Sequence, residues 1–176
     1  MPSSLFLERH RRFPHFLVTF DGGARLRGRR RVAGAAAVLW GPICGDGDRR
    51  PLKFSQVMLP GVEHAQVAEA WGLRLACLLL LGARASFGGE KSALIAGDNL
   101  AVVRYGAAQG RLHRPEMQGI LEQVLGQLAA AGWSPEWVAM RRAFNKAADE
   151  LATGALFEAG DLAKAGAFSP VFRDFS

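Results

Sequence analysis

Runs of apolar residues predict five β-strands along this chain of 176 residues. The first three, HFLVTFDGG, AGAAAVLW and LKFSQVMLP, follow one another and are separated by segments rich in turn residues, which is typical of antiparallel hairpins. The other two, SALIAG and PEWVAM, are separated by stretches with helical spacing. Three successive strands followed by strands that alternate with helices predict an α/β fold, in which helices flank a mixed sheet.

Apolar residues repeat at intervals of three to four in four further stretches, which predict helices. The expected helices are Glu63 to about Ala85, LAVVRYGAAQ, Pro115 to Ala131, and Phe144 to about Glu158. The first strand is expected to end at Asp21 in a Gly-Gly turn, and the Arg-rich stretch from Arg25 to Arg31 to form a loop. Around this single domain, residues 16–158, lie a basic leader, residues 1–15, and a tail without clear periodicity, residues 159–176.

Charge, apolar runs and cysteine content bear on the kind of partner and on the compartment of this protein. The chain carries 22 Lys and Arg against 16 Asp and Glu, a net charge of +6, which suits a polyanionic partner but also fits a solvated surface. The longest apolar run, Leu75 to Ala83, is far shorter than the ~20 residues that cross a bilayer, so it predicts a core helix and no membrane span. Cys44 and Cys77 have no close-spaced partner, and we expect free thiols in a reducing, intracellular compartment.

Four acids occupy positions that suggest a common site. Asp21 and Asp98 each end an apolar strand, whereas Glu69 and Asp149 lie on helix faces that are otherwise apolar or small. Singly, each also fits a structural role: Asp98 as an N-cap, Asp21 in a turn, the other two in ordinary salt bridges. Together, two carboxylates near 4 Å would repel by about 4 kcal/mol at an effective dielectric constant of about 20, and would need protons or divalent cations.

Oxygen ligands without His or Cys favour Mg²⁺ or Mn²⁺. Two such ions about 3.5 to 4 Å apart are the usual arrangement for in-line attack on a phosphodiester. A basic surface beside the acids would then hold a nucleic-acid backbone.

Four motifs in order, VTFDGGA, HAQVAEAWGL, ALIAGDNLAVV and NKAADELA, resemble those of the type 1 ribonuclease H family. The resemblance runs from about Phe16 to Leu156 and implies a five-stranded mixed sheet with strand order 3-2-1-4-5. It implies an endonuclease that hydrolyses the RNA strand of RNA/DNA hybrids, a monomeric domain without a small-molecule cofactor. Its four carboxylates, which match Asp21, Glu69, Asp98 and Asp149, would hold two Mg²⁺ ions, for which Mn²⁺ can substitute.

The resemblance also implies nucleic-acid contacts. Gly22, Gly23 and Ala24 match a segment whose backbone lies near the RNA strand, and Gln66 matches a position that reads ribose 2′-hydroxyls in the minor groove. Further contacts are expected at Asn99 after the third acid and at His64, which departs from the Thr of the family's phosphate pocket. The charge of Arg27, Arg29 and Arg30 predicts contacts with the nucleic-acid backbone. Gln66 also fits the role of a helix-surface amide.

Two departures from the commoner family pattern favour a subgroup. Only Gly110 to Pro115 separates two helices, which leaves no room for the basic protrusion of many members. The loop before Asp149 has Arg142 where many members have a His that assists metal exchange and product release. Both features resemble archaeal-type ribonucleases H and related domains of some retrotransposons. Arg142 is expected to assist catalysis through its charge, although a simple surface contact with a phosphate or carboxylate also fits.

Two alternative functions stay open at this point. One is a ribonuclease-H-like domain that binds nucleic acid without cutting it, although four intact acids argue against such a loss of activity. The other is a 3′-to-5′ exonuclease of the related Asp-Glu-Asp-Asp group. Those enzymes usually carry Asp-x-Glu on the first strand, whereas this chain has Asp21, Gly22 and Gly23.

Overall fold

A mixed β-sheet lies at the centre of the structure, a computed structural model in which residues 16–43, 49–87, 91–162 and 171–174 are described. Its strands are β1 (Phe16–Arg27), β2 (Arg30–Trp40), β3 (Pro51–Leu59), β4 (Ala93–Gly97), β5 (Glu136–Ala139) and β6 (Val171–Asp174). Their order is β5-β4-β1-β2-β3-β6. β1 pairs antiparallel with β2 and parallel with β4. The predicted order 3-2-1-4-5 of a ribonuclease-H-like sheet is therefore confirmed, with one strand added beyond β3.

In the described ranges, four α-helices flank the sheet, close to the predicted positions. They are α1 (Ala65–Phe87), α2 (Leu100–Gly106), α3 (Pro115–Ala130) and α4 (Lys146–Leu162), and a 3₁₀ turn (Arg142–Phe144) precedes α4. α1 packs on β1, β2 and α3, whereas α4 packs on β1, β2 and β3. Within the described ranges, one stretch, Ala65–Ala83, is long and apolar enough to span a membrane, but 56% of it is buried inside the protein, and a core helix passes the same test.

The residues of β1 alternate between two apolar clusters, as a strand covered on both faces requires. Val18 and Phe20 belong to the main core, which includes α1 and α3. Leu17 belongs to a smaller cluster with Leu94 and Val138. Asp21 continues this second alternation, so it lies on the strand face opposite Gly22 and yet is only 3% exposed.

The β1–β2 hairpin corrects two predictions. β1 does not end at Asp21 but continues through the two glycines to Arg27, which pairs with Arg30. The stretch from Arg25 to Arg31 is therefore the paired end of a hairpin and not a loop. Its turn contains only Gly28 and Arg29, and Gly28 has a φ of +64°, a conformation that glycine adopts at no steric cost. The arginines hid this strand because Leu26 is the single apolar residue among residues 25–31, too little for a recognisable alternation.

The C-terminal stretch holds more structure than its sequence indicates. α4 continues to Leu162, beyond the predicted end near Glu158, and β6 pairs antiparallel with β3 through Gln56 and Val171. A four-residue strand is too short to show a recognisable alternation. The basic leader, residues 1–15, and Cys44 lie outside the described residues, and the domain boundaries stay predictions. Cys77 is buried and free.

Two glycines bring α1 against the backbone of β1. A Cβ on Gly22 would overlap the backbone of Ala68, and a Cβ on Gly72 would lie 2.6 Å from the carbonyl oxygen of Asp21. The strand and the helix thus meet through their main chains at Asp21. Glycine is required at both positions because any side chain would push the two elements apart.

We expect Gly72→Ala to destabilise the protein by about 1–3 kcal/mol, because the added methyl group must displace β1. Gly82→Ala is the matched control in the same helix, since Gly82 is exposed and no atom lies within 4 Å of an added Cβ. It should stabilise the protein by up to about 1 kcal/mol through helix propensity. Urea unfolding measures both. Equal stability of the two variants would show that the approach of α1 to β1 is not tight.

Candidate metal centre

Three of the four predicted acids meet at one end of the sheet. Phe20 pairs with Gly97 on the neighbouring parallel strand, so Asp21 and Asp98, one residue further, lie side by side. Glu69 comes from the first turns of α1. Each of the three acids offers a carboxylate oxygen, and these oxygens all lie within 4.8 Å of one another. The group satisfies the spacing of ligands around a single cation.

Burial and repulsion from neighbouring acids raise the pKa values of all three carboxylates in this group. Burial, and then the charge of Asp98, raises the pKa of Asp21 to about 7. Burial, and then the charges of Asp21 and Asp98, raises the pKa of Glu69 to about 10. Burial also raises the pKa of Asp98, although Arg142 opposes the shift. Both the low dielectric and the like charges disfavour the ionised forms.

One oxygen of this group indicates that a cation fits there. Oε2 of Glu69 is buried and has no hydrogen-bond partner, whereas buried polar atoms in proteins almost always have one. A hard divalent cation would satisfy this oxygen and offset the repulsion among the three acids. The residues present therefore fit a divalent metal ion.

The fourth predicted acid lies beside the other three but is engaged elsewhere. Nη2 of Arg142 donates to Oδ1 of Asp149 at 2.8 Å, and the two side chains are 67% and 31% exposed. This bond lowers the pKa of Asp149, which also hydrogen-bonds Asp21. The carboxylate contact foreseen as the simpler role of Arg142 is thus present. Asp149 would have to leave Arg142 to contribute fully to a metal ion.

Asn145 holds the start of α4 against β1, a role that the sequence analysis did not assign. Its side chain is buried, and Nδ2 donates to the carbonyl oxygen of Phe20 at 2.7 Å. The main-chain carbonyl oxygen of Asn145 accepts from the backbone nitrogen of Asp149 at 3.0 Å. One residue therefore fixes Asp149 relative to Asp21. The only signal in the sequence was its place in NKAADELA.

The predicted N-cap role of Asp98 belongs to its neighbour. The side chain of Asn99 accepts from the backbone nitrogen of Val102 at 3.2 Å and caps α2. Asp98 is consequently free to face the other acids. The same bond gives Asn99 a structural role, and its predicted nucleic-acid contact stays a prediction.

The other predicted contact residues divide into three places. Gly22, Gly23 and Ala24 line a cavity of about 290 Å³ together with Asp21, Glu69, Asp149 and Arg142. His64 lines a separate cavity of about 310 Å³, and Gln66 is exposed nearby at the start of α1. Arg29 and Arg30 are exposed at the hairpin turn, and the side chain of Arg27 lies outside the described residues. The cavity at the acids thus gathers the glycine segment and Arg25 of the hairpin, whereas Arg29 and Arg30 do not line it.

No protein-family model matches this sequence, and no curated protein matches it. Solved structures do match. The N-terminal RNase H domain of a Mycobacterium tuberculosis protein superimposes with a TM-score of 0.62 at 24% identity, covering 84% of this chain and 98% of that one. RNase H1 from the archaeon Halobacterium salinarum superimposes with a TM-score of 0.60 at 23% identity, covering 82% and 98%. This chain has the ribonuclease H fold.

A third match extends the comparison to a complex. LC11-RNase H1, in complex with an RNA/DNA hybrid, has a TM-score of 0.62 at 20% identity, covering 82% of this chain and 98% of that one; that protein was isolated from compost by a metagenomic approach. All three are nearly fully covered, so the ribonuclease H fold here is complete. The resemblance read from the motifs is thus confirmed at the level of the fold.

We expect the stability of the metal-free protein to fall as the pH rises. The pKa of Asp21 rises from 3.8 to about 7 on folding and that of Glu69 from 4.5 to about 10. Above about pH 4 the folded state therefore binds more protons than the unfolded state, and stability is lost as pH climbs towards these folded values. Tm should be lower at pH 8 than at pH 5.5, and MgCl₂ should raise it more at pH 8.

At a Mg²⁺ concentration of about 100 times its Kd, the gain should be about 2.7 kcal/mol. Asp98→Asn removes one repelling charge, so it should raise Tm in metal-free buffer at pH 8 and reduce the response to MgCl₂. Differential scanning calorimetry measures these changes. If the Tm values of the wild type and of Asp98→Asn responded identically to pH and MgCl₂, the charge of Asp98 would not act on Asp21 and Glu69.

Proposed function

We propose that this chain is a type 1 ribonuclease H, an endonuclease that hydrolyses the RNA strand of RNA/DNA hybrids with two bound Mg²⁺ ions. The observation that carries the proposal is the convergence of Asp21, Glu69 and Asp98 with an unpartnered oxygen on Glu69. This convergence occurs within the ribonuclease H fold, and one protein of that fold, LC11-RNase H1, was crystallised with such a hybrid. The fold alone would not assign a function.

Asp21, Glu69, Asp98 and Asp149 would hold the ions. Bound at such a site, divalent ions supply activation of a water molecule and stabilisation of the departing oxygen. The protein's own contribution is to fix the carboxylates: β1 and β4 place two side by side, Gly22 and Gly72 let α1 bring the third, and Asn145 positions the fourth. A pre-set site avoids reorganisation at the moment of reaction.

Arg142 would attract the phosphate to be cut. Its guanidinium group is exposed at the rim of the acidic cavity and already bonds one carboxylate oxygen of Asp149. A phosphate oxygen offers the same planar group a comparable or stronger partner. Arrival of the substrate would therefore draw Arg142 from Asp149 and free that acid for a metal ion. Arg29 and Arg30, together with a net charge of +6, would hold the backbone more distantly.

The subgroup is also a proposal. α2 ends at Gly106 and α3 begins at Pro115, and the described segment between them contains no helix that could form a basic protrusion. This supports an archaeal-type enzyme, whether a free-standing intracellular protein or a domain of a retrotransposon polyprotein. A monomer suffices because all four acids come from one chain.

A cleavage assay tests the proposal. Purified protein with MgCl₂ is offered RNA/DNA, RNA/RNA, DNA/DNA and single strands, with the 3′ end of the RNA blocked in one hybrid. We expect internal cuts in the RNA of both hybrids, leaving 5′-phosphate and 3′-hydroxyl ends. Digestion only from an open 3′ end would instead indicate an exonuclease, and tight binding without cleavage an inactive binding domain.

We predict that Asp98→Asn abolishes cleavage while the fold and hybrid binding persist, because the change keeps the shape and removes one ligand charge. Activity should fall by at least about 10³-fold, the scale of losing an essential catalytic group. Glu122→Gln is the matched control, an exposed acid on α3, and should retain full activity. Turnover of purified Asp98→Asn at the wild-type rate would falsify the role assigned to this acid.

Arg142→Ala should slow steady-state turnover without eliminating single-turnover cleavage, because the carboxylates stay in place while the phosphate loses its cation. We expect a loss of about ten- to a hundredfold, the scale of a hydrogen bond to a charged group, and partial recovery in Arg142→Lys. Arginine stays charged at working pH, so no new titration should appear near neutral pH. Unchanged turnover across Mg²⁺ concentrations would make Arg142 peripheral.

A further inference from the structure

A second groove, of about 560 Å³, is lined by Asp98, by residues of α2 and by the end of β5. We call it the Asp98 groove. Leu100 and Arg104 line it from α2, and Trp137 and Arg141 line it from β5 and the residues after it. None of its lining residues belongs to the cavity that holds Gly22 and Asp149. The groove is thus separate from that cavity, and Asp98 belongs both to the groove and to the acid cluster.

Two cations of the Asp98 groove have no side-chain partner in the described part of the chain. Arg104 and Arg141 are both exposed, and neither side chain forms a hydrogen bond or an ion pair with any residue in the described ranges. Some arginines elsewhere are engaged, since Arg142 bonds Asp149 and Arg74 donates to the carbonyl oxygen of Ile120 at 3.0 Å. Two unpaired guanidinium groups in one groove suit an anion with more than one charged group, such as consecutive phosphates.

The rest of the lining is apolar. Leu100 is 47% exposed, one of three large apolar side chains in the described residues with such exposure. It lies four residues before Arg104, so the two side chains share one face of α2. Trp137, which is half-buried, adds further apolar surface. Alternation of guanidinium groups with apolar and aromatic surface matches a nucleotide chain, whose phosphates alternate with sugars and bases.

We propose that the Asp98 groove binds nucleotides of the strand that is cut, next to the scissile phosphate, with Arg104 and Arg141 each contacting a phosphate. The proposal rests on the proposed function, because Asp98 would help to place the scissile phosphate. The strand that carries this phosphate must pass Asp98, and Asp98 is one of the residues that line the groove. The uncut strand would have to reach the groove from across the duplex, which makes it the less suitable occupant.

The experiment uses a hybrid whose cut strand is DNA except for a few central ribonucleotides, which fixes the position of cleavage. Uncharged methylphosphonate linkages replace single phosphates in either flank, or in the other strand. Binding is measured by fluorescence anisotropy in EDTA over a range of salt, and cleavage in MgCl₂. The proteins are the wild type, Arg104→Ala, Arg141→Ala, the double variant, and Arg50→Ala as control. Arg50 is exposed beside the start of β3, at the far end of the sheet.

We expect the double variant to bind about tenfold more weakly, and its salt slope to fall by about two units, one for each lost contact. KM should rise while kcat at saturation is retained. Neutral linkages in one flank of the cut strand should weaken binding to the wild type but not further weaken the double variant, which would demonstrate a direct coupling. Arg50→Ala should match the wild type within about one unit of salt slope.

The outcomes separate the two proposals. Unchanged binding by the double variant of a hybrid that is still cut would overturn the groove and leave the enzyme. Coupling to neutral linkages in the uncut strand would likewise overturn the groove assignment. If neutral linkages in the central-ribonucleotide strand weakened binding only when Arg104 and Arg141 are present, but the strand were never cleaved, the groove proposal would be supported and the ribonuclease proposal overturned. Absence of binding to any hybrid by the wild type would overturn both.

Discussion

The contact between the main chains of β1 and α1 determines where the acids can meet. Gly22 and Gly72 allow a separation that no side chain would permit, and the approach occurs at the backbone of Asp21. Glu69 lies three residues before Gly72, about one helical turn, so the same contact that brings the helix down also brings its carboxylate to the strand. The position of the third acid follows from the parallel pairing of β1 and β4.

This placement works against folding stability. Burial and mutual repulsion raise the pKa values of Asp21, Glu69 and Asp98, so each ionised carboxylate costs free energy that packing elsewhere must offset. The core supplies that compensation, with Phe20 and Leu73 fully buried beside the acids. Arg142 hydrogen-bonds Asp149, and its charge also opposes the rise in the pKa of Asp98. Its exposed side chain can exchange Asp149 for another partner. A cation fits among Asp21, Glu69 and Asp98 because no ion pair in the described residues neutralises their charge.

The sequence predicted the sheet order, the four helices and the four acids, because long periodic elements and family motifs carry strong signals. It failed where local chemistry pointed one way and tertiary contact another. Gly22 and Gly23 have the composition of a turn, but both pair with β2 within β1, and Gly22 leaves room for α1. Asp98 has the position of an N-cap, but Asn99 performs that role. β6 is defined only by its pairing with β3, a partner that its own four residues cannot specify.

Pairwise contacts could not be predicted either, and they determine how the charge of this protein is used. A net charge of +6 indicates only that some anion is favoured. In the structure, the arginines differ: Arg31 donates to the carbonyl oxygen of Glu63 at 3.1 Å, Arg142 holds Asp149, and Arg104 and Arg141 bond no residue in the described ranges. Only cations without internal partners can neutralise a ligand at no cost in lost contacts. Because Arg104 and Arg141 line a groove that Asp98 also lines, positive charge without a partner in the described ranges lies next to the acid cluster, as a polyanion that crosses that cluster requires.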